Sequence, residues 1–256
     1  MSDRHPYAKV IADIRKVVET DGVIDLAETA GLLRISRPYA ERGNAAAQQL
    51  MKLLDEVRAD GVITAEESQR VLVMLERIVN GPLVLADYVK LVPDFPKPGV
   101  MFRDVTGILE SVEGFRLAVD QMEKSLEGQP IDLVAAPESR GFIFGSALAD
   151  RLGVVFVPIR KPGKLPRATI SESYDLEYGK AELHIHDDAV IHDERVVIVD
   201  DLLATGGTAA AAARLVERLG GRVVKMVFLI ELEGFEARTH ALREYSVSSL
   251  VQYPGK

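Results

Sequence analysis

Apolar residues recur along this chain with two different rhythms, and the place where the rhythm changes divides it. Up to about residue 81 they fall at helical spacing, as in Val10, Ile14 and Val17, in Leu50, Leu53, Leu54 and Val57, and in Val71, Leu72, Leu75 and Ile78. A stripe of that period predicts four or five short amphipathic helices and no strand. Gly81-Pro82 then breaks the pattern, because proline lacks the N–H that a helix interior needs. The expected organisation is a helical domain over 1–81 and a second domain over 82–256.

In the second domain, short apolar runs alternate with helical stretches. A short helix is expected around Leu83–Leu91, and a proline-rich loop over Pro93–Gly99. An amphipathic helix follows over about Val112–Leu126, then a strand over Ile131–Ala136, a helix over Phe142–Leu152 and a strand over Val154–Pro158. Arg167–Gly179 is polar and poorly periodic, and Ala181–Ile185 alternates as a strand. Val196–Val199 is a β-branched run that reads as a fully buried strand, followed by an alanine-rich helix to about Leu219. Arg222–Ile230 is the next strand, Phe235–Arg243 a helix, and Tyr245–Tyr253 a last edge strand. Such β-α-β alternation predicts an α/β fold with a mostly parallel sheet, helices on both faces, and ligands at the carboxyl ends of the strands.

The helical segment contains an internal repeat. Asp21-Gly22-Val23-Ile24 with Glu28 matches Asp60-Gly61-Val62-Ile63 with Glu67, and the two glycines lie 39 positions apart. A duplicated helix–loop–helix unit follows from this. The Gly, Ile and Glu spacing echoes an EF-hand loop, but the first liganding position is Val17 or Glu56 and the third is Glu19 or Arg58. An arginine there opposes a cation, so a glycine turn between helices is the preferred reading over calcium binding. The segment carries 11 Lys/Arg against 13 Asp/Glu, and Arg34, Arg37 and Arg42 read as a solvated helix face.

Composition narrows the function classes. With 256 residues, 47% of them hydrophobic and 27% charged, the chain is long enough for a sizeable core. A formal net charge of −8 with interspersed signs argues against nucleic acid or a membrane surface as partner. The absence of cysteine excludes a disulfide framework and thiolate chemistry. The opening MSDRHPYAKV lacks a signal peptide's apolar core and no run approaches a membrane span, so a cytoplasmic location is expected.

Candidate chemistry gathers at the ends of strands. After Val196–Val199 come Asp200 and Asp201, then Ala204-Thr205-Gly206-Gly207-Thr208 leading into a helix. Such a turn aims free N–H groups and a helix's positive end at one spot, which suits a phosphate. No lysine follows the last glycine, so this is not a Walker loop, and G-x-G-x-x-G is absent. A second strand–turn–helix carries Pro137-Glu138-Ser139-Arg140-Gly141, with Arg140 as a bidentate partner for another anion. Arg160, Lys161 and Lys164 crowd three cations into the loop after the next strand. His184 and His186 share a strand face without a carboxylate at ligand spacing, and read as exposed strand residues.

Asp200–Thr208 strongly resembles the phosphoribosyl-pyrophosphate (PRPP) motif of the type I phosphoribosyltransferases. The wording FPKPGVMFRDVT over Phe95–Thr106 resembles the hood of the adenine phosphoribosyltransferases within that family. The resemblance spans about residue 82 to the end and leaves the helical segment outside it. It implies the type I fold with a small hood, and the reaction of adenine with PRPP to give AMP and pyrophosphate. It implies that Asp200 and Asp201 hold the ribose hydroxyls, and that Ala204, Thr205, Gly206, Gly207 and Thr208 hold the sugar's phosphate. Glu138, Ser139 and Arg140 become the pyrophosphate loop, with a strained or cis peptide at Glu138-Ser139. Arg160, Lys161 and Lys164 meet the pyrophosphate, some of them in a neighbouring subunit's site, which implies a homodimer. Met101 packs on the adenine ring and the Arg103 backbone reads its edge. Arg167–Gly179 becomes a mobile loop whose Glu177 and Tyr178 serve the purine and the pyrophosphate. Mg²⁺ arrives on PRPP with few direct protein ligands. Either Glu177 or Asp201 handles the base's proton. A PRPP-sensing DNA-binding regulator on the same fold requires a basic front end, which this chain lacks; a nearer rival is a phosphoribosyltransferase for another nucleobase, against which the VMFRDVT wording favours adenine. The front segment is left with packing, regulation or a partner that its residues do not name.

Overall fold

The computed structural model describes residues 10–12, 23–42, 44–80, 84–175 and 180–254, which fall into two compact units, 1–117 and 118–256. The expected boundary at Gly81-Pro82 lies outside the described residues. In the first unit, helices α1 (Leu26–Glu41), α2 (Ala45–Val57) and α3 (Ala65–Asn80) close around Ile11, Ile24, Leu32, Leu50, Leu54, Val57, Val71 and Leu75. Leu50, Leu54, Val57, Val71 and Leu75 are positions of the helical stripe, while Ile11, Ile24 and Leu32 join the core from outside it; Ile14 and Val17 lie outside the described residues. Arg34, Arg37 and Arg42 are exposed, as expected.

The repeat is explained by capping. Asp25 Oδ1 accepts the Glu28 N–H at 2.8 Å while Glu28 Oε2 accepts the Asp25 N–H at 2.9 Å. Thr64 and Glu67 make the same reciprocal pair, at 3.2 and 2.9 Å. Each glutamate of the repeat therefore closes a capping box at the start of a helix, satisfying backbone donors that the helix cannot. Gly61 supplies the turn with φ +78°. The two copies are tied together by the Ile24 N–H donating to Ser68 Oγ at 2.7 Å.

The same unit continues through a 3₁₀ turn (Leu85–Tyr88) into strands β1 (Lys90–Pro93) and β2 (Met101–Asp104), which pair antiparallel with Leu91 opposite Arg103. The helix expected over Leu83–Leu91 is replaced by this turn and strand. Its apolar spacing fits both forms, and pairing with β2 decides between them. The hairpin's loop is held by Gly99 N–H donating to Asp94 Oδ1 at 2.7 Å and by Phe95 meeting Phe102 edge-on at 5.0 Å. The short helix α4 (Thr106–Leu109) and the start of α5 (Val112–Lys124) complete it.

The second unit is built on a five-stranded parallel sheet in the order β4 (Val155–Ile159), β3 (Leu133–Pro137), β7 (Arg195–Leu203), β8 (Arg222–Leu232), β9 (Val247–Tyr253). Alternation along the strands serves two faces. Leu133, Ala135, Val157, Val196, Ile198 and Phe228 share a core with the alanines of α7 (Gly207–Arg218). Ala136, Phe156 and Val199 meet Gly145 of α6 (Arg140–Leu152), where an added Cβ would come within 2.9 Å of Ala136 Cβ. Five consecutive alanines, Ala209–Ala213, let α7 lie close to the sheet and are all buried.

An antiparallel hairpin of β5 (Thr169–Asp175) and β6 (Lys180–His186) packs on α7, with Leu183 and Ile185 in the shared core. Within the stretch expected to be irregular, Thr169–Asp175 is strand, because its polar residues are paired in a ladder that sequence periodicity does not reveal; residues 176–179 lie outside the described residues. The helix expected over Phe235–Arg243 is instead a 3₁₀ turn (Glu233–Phe235) followed by further turns. Glu236 there has φ +52°, which interrupts a right-handed helix. The two-sided α/β architecture is as expected.

Candidate active site

From β3 the chain moves outward to β4, then returns to the other side of β3 as β7 and proceeds through β8 to β9. The order therefore reverses between β3 and β7, and a parallel sheet opens a crevice outside the carboxyl ends at such a point. Both strand–turn–helix devices lie there. β7 delivers Asp200 and Asp201, and Gly206 turns at φ +81° into α7, whose first residues are Gly207 and Thr208. β3 delivers Glu138 and Ser139 through a cis peptide between them, and α6 starts at Arg140.

Among the described residues, neither α6 nor α7 receives a side-chain hydrogen bond at its amino end. Helices α1 and α2 do, from Asp25 and Asn44. Two uncapped helix starts side by side leave N–H donors and two positive helix ends directed at one crevice. That arrangement favours an anion with phosphate groups at both ends.

A charge pair joins the two loops. Arg140 Nε donates to Asp201 Oδ2, across 61 positions of sequence. The Asp201 carboxylate is nearly buried, at 8% exposure, whereas Arg140 keeps 44% of its side chain open. The Asp201 N–H donates to Asp200 Oδ1 at 2.8 Å. Burial, reinforced by the charge of Asp201, pushes the Asp200 carboxyl well above the ordinary carboxylate range, and Arg140 offsets part of this. Gly141 is what lets α6 approach so closely: a Cβ there would lie 2.9 Å from Asp200 Oδ1 and 3.0 Å from the Val199 carbonyl oxygen.

The cationic loop adds a second pair. Arg160 Nε donates to Glu138 Oε2 at 2.7 Å, and Arg160 Nη1 donates to the Lys164 carbonyl at 3.0 Å. Glu138 and the first cation of Arg160–Lys164 are thereby one unit, with Lys161 and Lys164 exposed beside it.

The expected site residues of the second unit thus converge at one end of the sheet: Asp200, Asp201 and the Ala204–Thr208 loop with Glu138, Ser139, Arg140 and Arg160. Met101, 48% exposed, and Arg103 lie on β2 of the first unit. Glu177 and Tyr178 fall outside the described residues. The histidines depart from expectation. His186 is buried, with Nδ1 3.2 Å from the Ala168 carbonyl, and His184 is half-buried against Thr169 and Glu182. They hold the base of the hairpin, and among the described residues no group of three or more His, Asp or Glu is arranged to hold a metal.

Sequence reading overlooked Tyr174, whose hydroxyl meets that of Thr208 at 3.2 Å. It stands in a polar stretch, and only the β5–β6 pairing brings it to the start of α7. The steric requirement at Gly141 was equally invisible, since its neighbours come from another strand.

Comparison with known proteins agrees with this geometry. Residues 109–249 match the phosphoribosyl transferase domain family. An adenine phosphoribosyltransferase of Agathobacter rectalis is 53% identical over 170 residues, which cover 66% of this chain and 97% of that protein. The crystal structure of adenine phosphoribosyltransferase from Thermoanaerobacter pseudethanolicus aligns with a TM-score of 0.63 at 52% identity, covering 65% of this chain and 96% of that one. The Saccharomyces cerevisiae enzyme, complexed with adenine and D-2,5-dideoxy-2,5-imino-altritol 1,6-bisphosphate, aligns with a TM-score of 0.60 at 38% identity, covering 64% and 94%. On the matched sequence, the parallel sheet and the paired anion loops, this chain is a member of the phosphoribosyltransferase family.

Proposed function

We propose that the protein is an adenine phosphoribosyltransferase, joining adenine to the ribose of PRPP to form AMP and release pyrophosphate. The observation that carries this reading is the Arg140–Asp201 pair linking two uncapped helix starts at the switch point. A molecule with a phosphate on one side of a sugar and a diphosphate on the other suits such a pair of cradles.

The chemistry follows from the charges. As the bond to pyrophosphate stretches, positive charge grows on the sugar and negative charge on the leaving group. Arg140, Arg160, Lys161, Lys164 and the first N–H groups of α6 stabilise the leaving group. Asp200 and Asp201 hold the ribose hydroxyls, and Ala204–Thr208 hold the 5-phosphate. Arg140 gives up part of its bond with Asp201 as it turns to the diphosphate, which leaves Asp201 available to the sugar. Met101 and Arg103 recognise the base, while Glu177 and Tyr178 serve the purine and the diphosphate.

Mg²⁺ bound to PRPP would supply positive charge to the diphosphate, with few direct ligands from this chain. The donor set accords with few protein ligands, since Asp201 is bonded to Arg140 and burial beside Asp201 disfavours the charged form of Asp200. The working form is a cytoplasmic homodimer, in which Arg160 serves its own chain through Glu138. The helical unit packs or regulates, and no described helix is long and apolar enough to cross a membrane. A panel of adenine, hypoxanthine, guanine and uracil with PRPP tests the base. Product with adenine alone supports the assignment, and turnover of another base in preference to adenine refutes it.

A further inference from the structure

We infer that Tyr174 is a positioning residue for the phosphate of PRPP, acting through the hydroxyl of Thr208. The inference rests on the reading of Ala204–Thr208 as the phosphate loop. Thr208 Oγ1 donates to Tyr174 Oη at 3.2 Å, longer than the usual hydroxyl–hydroxyl bond. The Tyr174 ring is fixed independently. It packs against the core that α7 shares with the sheet and stands opposite Ala181 in the β5–β6 ladder. The strand carrying it is clamped to α7 by Arg214 Nε donating to Glu172 Oε1 and Arg218 Nη1 donating to the Ser171 carbonyl, both at 2.6 Å.

The threonine hydroxyl has one proton, and a phosphate oxygen only accepts. When phosphate enters the loop, Thr208 must turn its proton from Tyr174 to the phosphate. Tyr174 then reverses and donates its phenolic proton to Thr208 Oγ1. The result is a chain in which Tyr174 O–H donates to Thr208 and Thr208 O–H donates to phosphate. Each link polarises the next and shortens the long bond. Phenylalanine at position 174 keeps the packing but leaves Thr208 Oγ1 without this donor.

The test is a double-mutant cycle on the full-length protein with Tyr174→Phe and Thr208→Val, read as KM for PRPP, KM for adenine, kcat, and the Kd of PRPP by calorimetry without adenine. Tyr174→Phe should raise KM and Kd for PRPP about 5-fold, the worth of one neutral hydrogen bond. It should leave kcat and KM for adenine within about 2-fold, and in the Thr208→Val background it should change nothing further. Equal losses in both backgrounds, or a fall in kcat with Kd unchanged, overturn the inference. Replacing Tyr174 by 3-fluorotyrosine, a stronger donor, should tighten PRPP at a pH where the phenol stays protonated. Weaker binding there also overturns it. If the wild type binds PRPP but makes no AMP, the adenine reading fails and the Kd cycle still judges Tyr174. If it does not bind PRPP, both fall.

Discussion

Replacing Asp200 by asparagine should make the protein more stable and less active. The asparagine Oδ1 can still accept the Asp201 N–H that Asp200 Oδ1 accepts at 2.8 Å, and the side chains are nearly the same size. What changes is the charge. In the wild type it is buried next to the Asp201 carboxylate, with Arg140 bonded to Asp201. An incompletely paired buried charge costs several kcal/mol, of which Arg140 returns part, so the variant should gain about 2 kcal/mol. For a chain of this size that raises Tm by about 4–8 °C. The pH dependence fixes the sign. The Asp200 carboxyl titrates higher in the folded protein than in the unfolded chain. Its contribution is therefore fully present below about pH 4 and is lost as pH rises through the folded value. The stability gap between variant and wild type should be small at about pH 4 and open toward neutrality. Melting curves across that range, with AMP formation assayed on the same samples, provide the test. A variant that melts below the wild type near neutral pH, or a gap independent of pH, refutes the reasoning.

Other sites give sharper single readouts. Gly141→Ala places a Cβ 2.9 Å from Asp200 Oδ1 and 3.0 Å from the Val199 carbonyl, so α6 must retreat. It should cost about 1–3 kcal/mol in thermal melting and raise KM for PRPP. At the opposite, amino edge of the sheet, Arg195 holds the Asp132 carboxyl at about 2 through a side-chain pair and its backbone N–H. That lowered value stabilises the fold above the ordinary carboxylate range, and the stabilisation is lost as pH falls through about 2. Asp132→Asn should therefore remove part of the acid-side slope in a melting series while leaving neutral-pH kcat unchanged. Deleting residues 1–81 should leave catalysis largely intact, measured as kcat/KM for both substrates, and complete loss of soluble, active protein would count against it.

What could be read in the sequence was local. The run Val196–Val199, the acid pair and the glycine turn specify strand, mouth and helix start within thirteen consecutive residues, and each occupies its expected place. Pro137–Gly141 was legible for the same reason. The features that escaped depend on partners far along the chain. Polar Ser171, Glu172 and Ser173 form a strand because Leu183, Glu182 and neighbouring residues pair with them, and Tyr174 gains its role from a helix 34 positions away. Leu91 and Val92 are strand because Arg103 and Phe102 face them. In the helical unit, the glutamates that echoed calcium ligands are better explained by Asp25 and Thr64, since a capping box uses the same local spacing.

The central claim is that two anion cradles joined by Arg140 and Asp201 flank one sugar. It is tested most directly by following adenine, PRPP, AMP and pyrophosphate together in one reaction, for the wild type and for Asp201→Asn. The account predicts one AMP and one pyrophosphate for each PRPP consumed by the wild type, and a large loss of turnover in a variant that remains folded. PRPP that is bound but never transferred to adenine, or an Asp201→Asn protein as fast as the wild type, would contradict it.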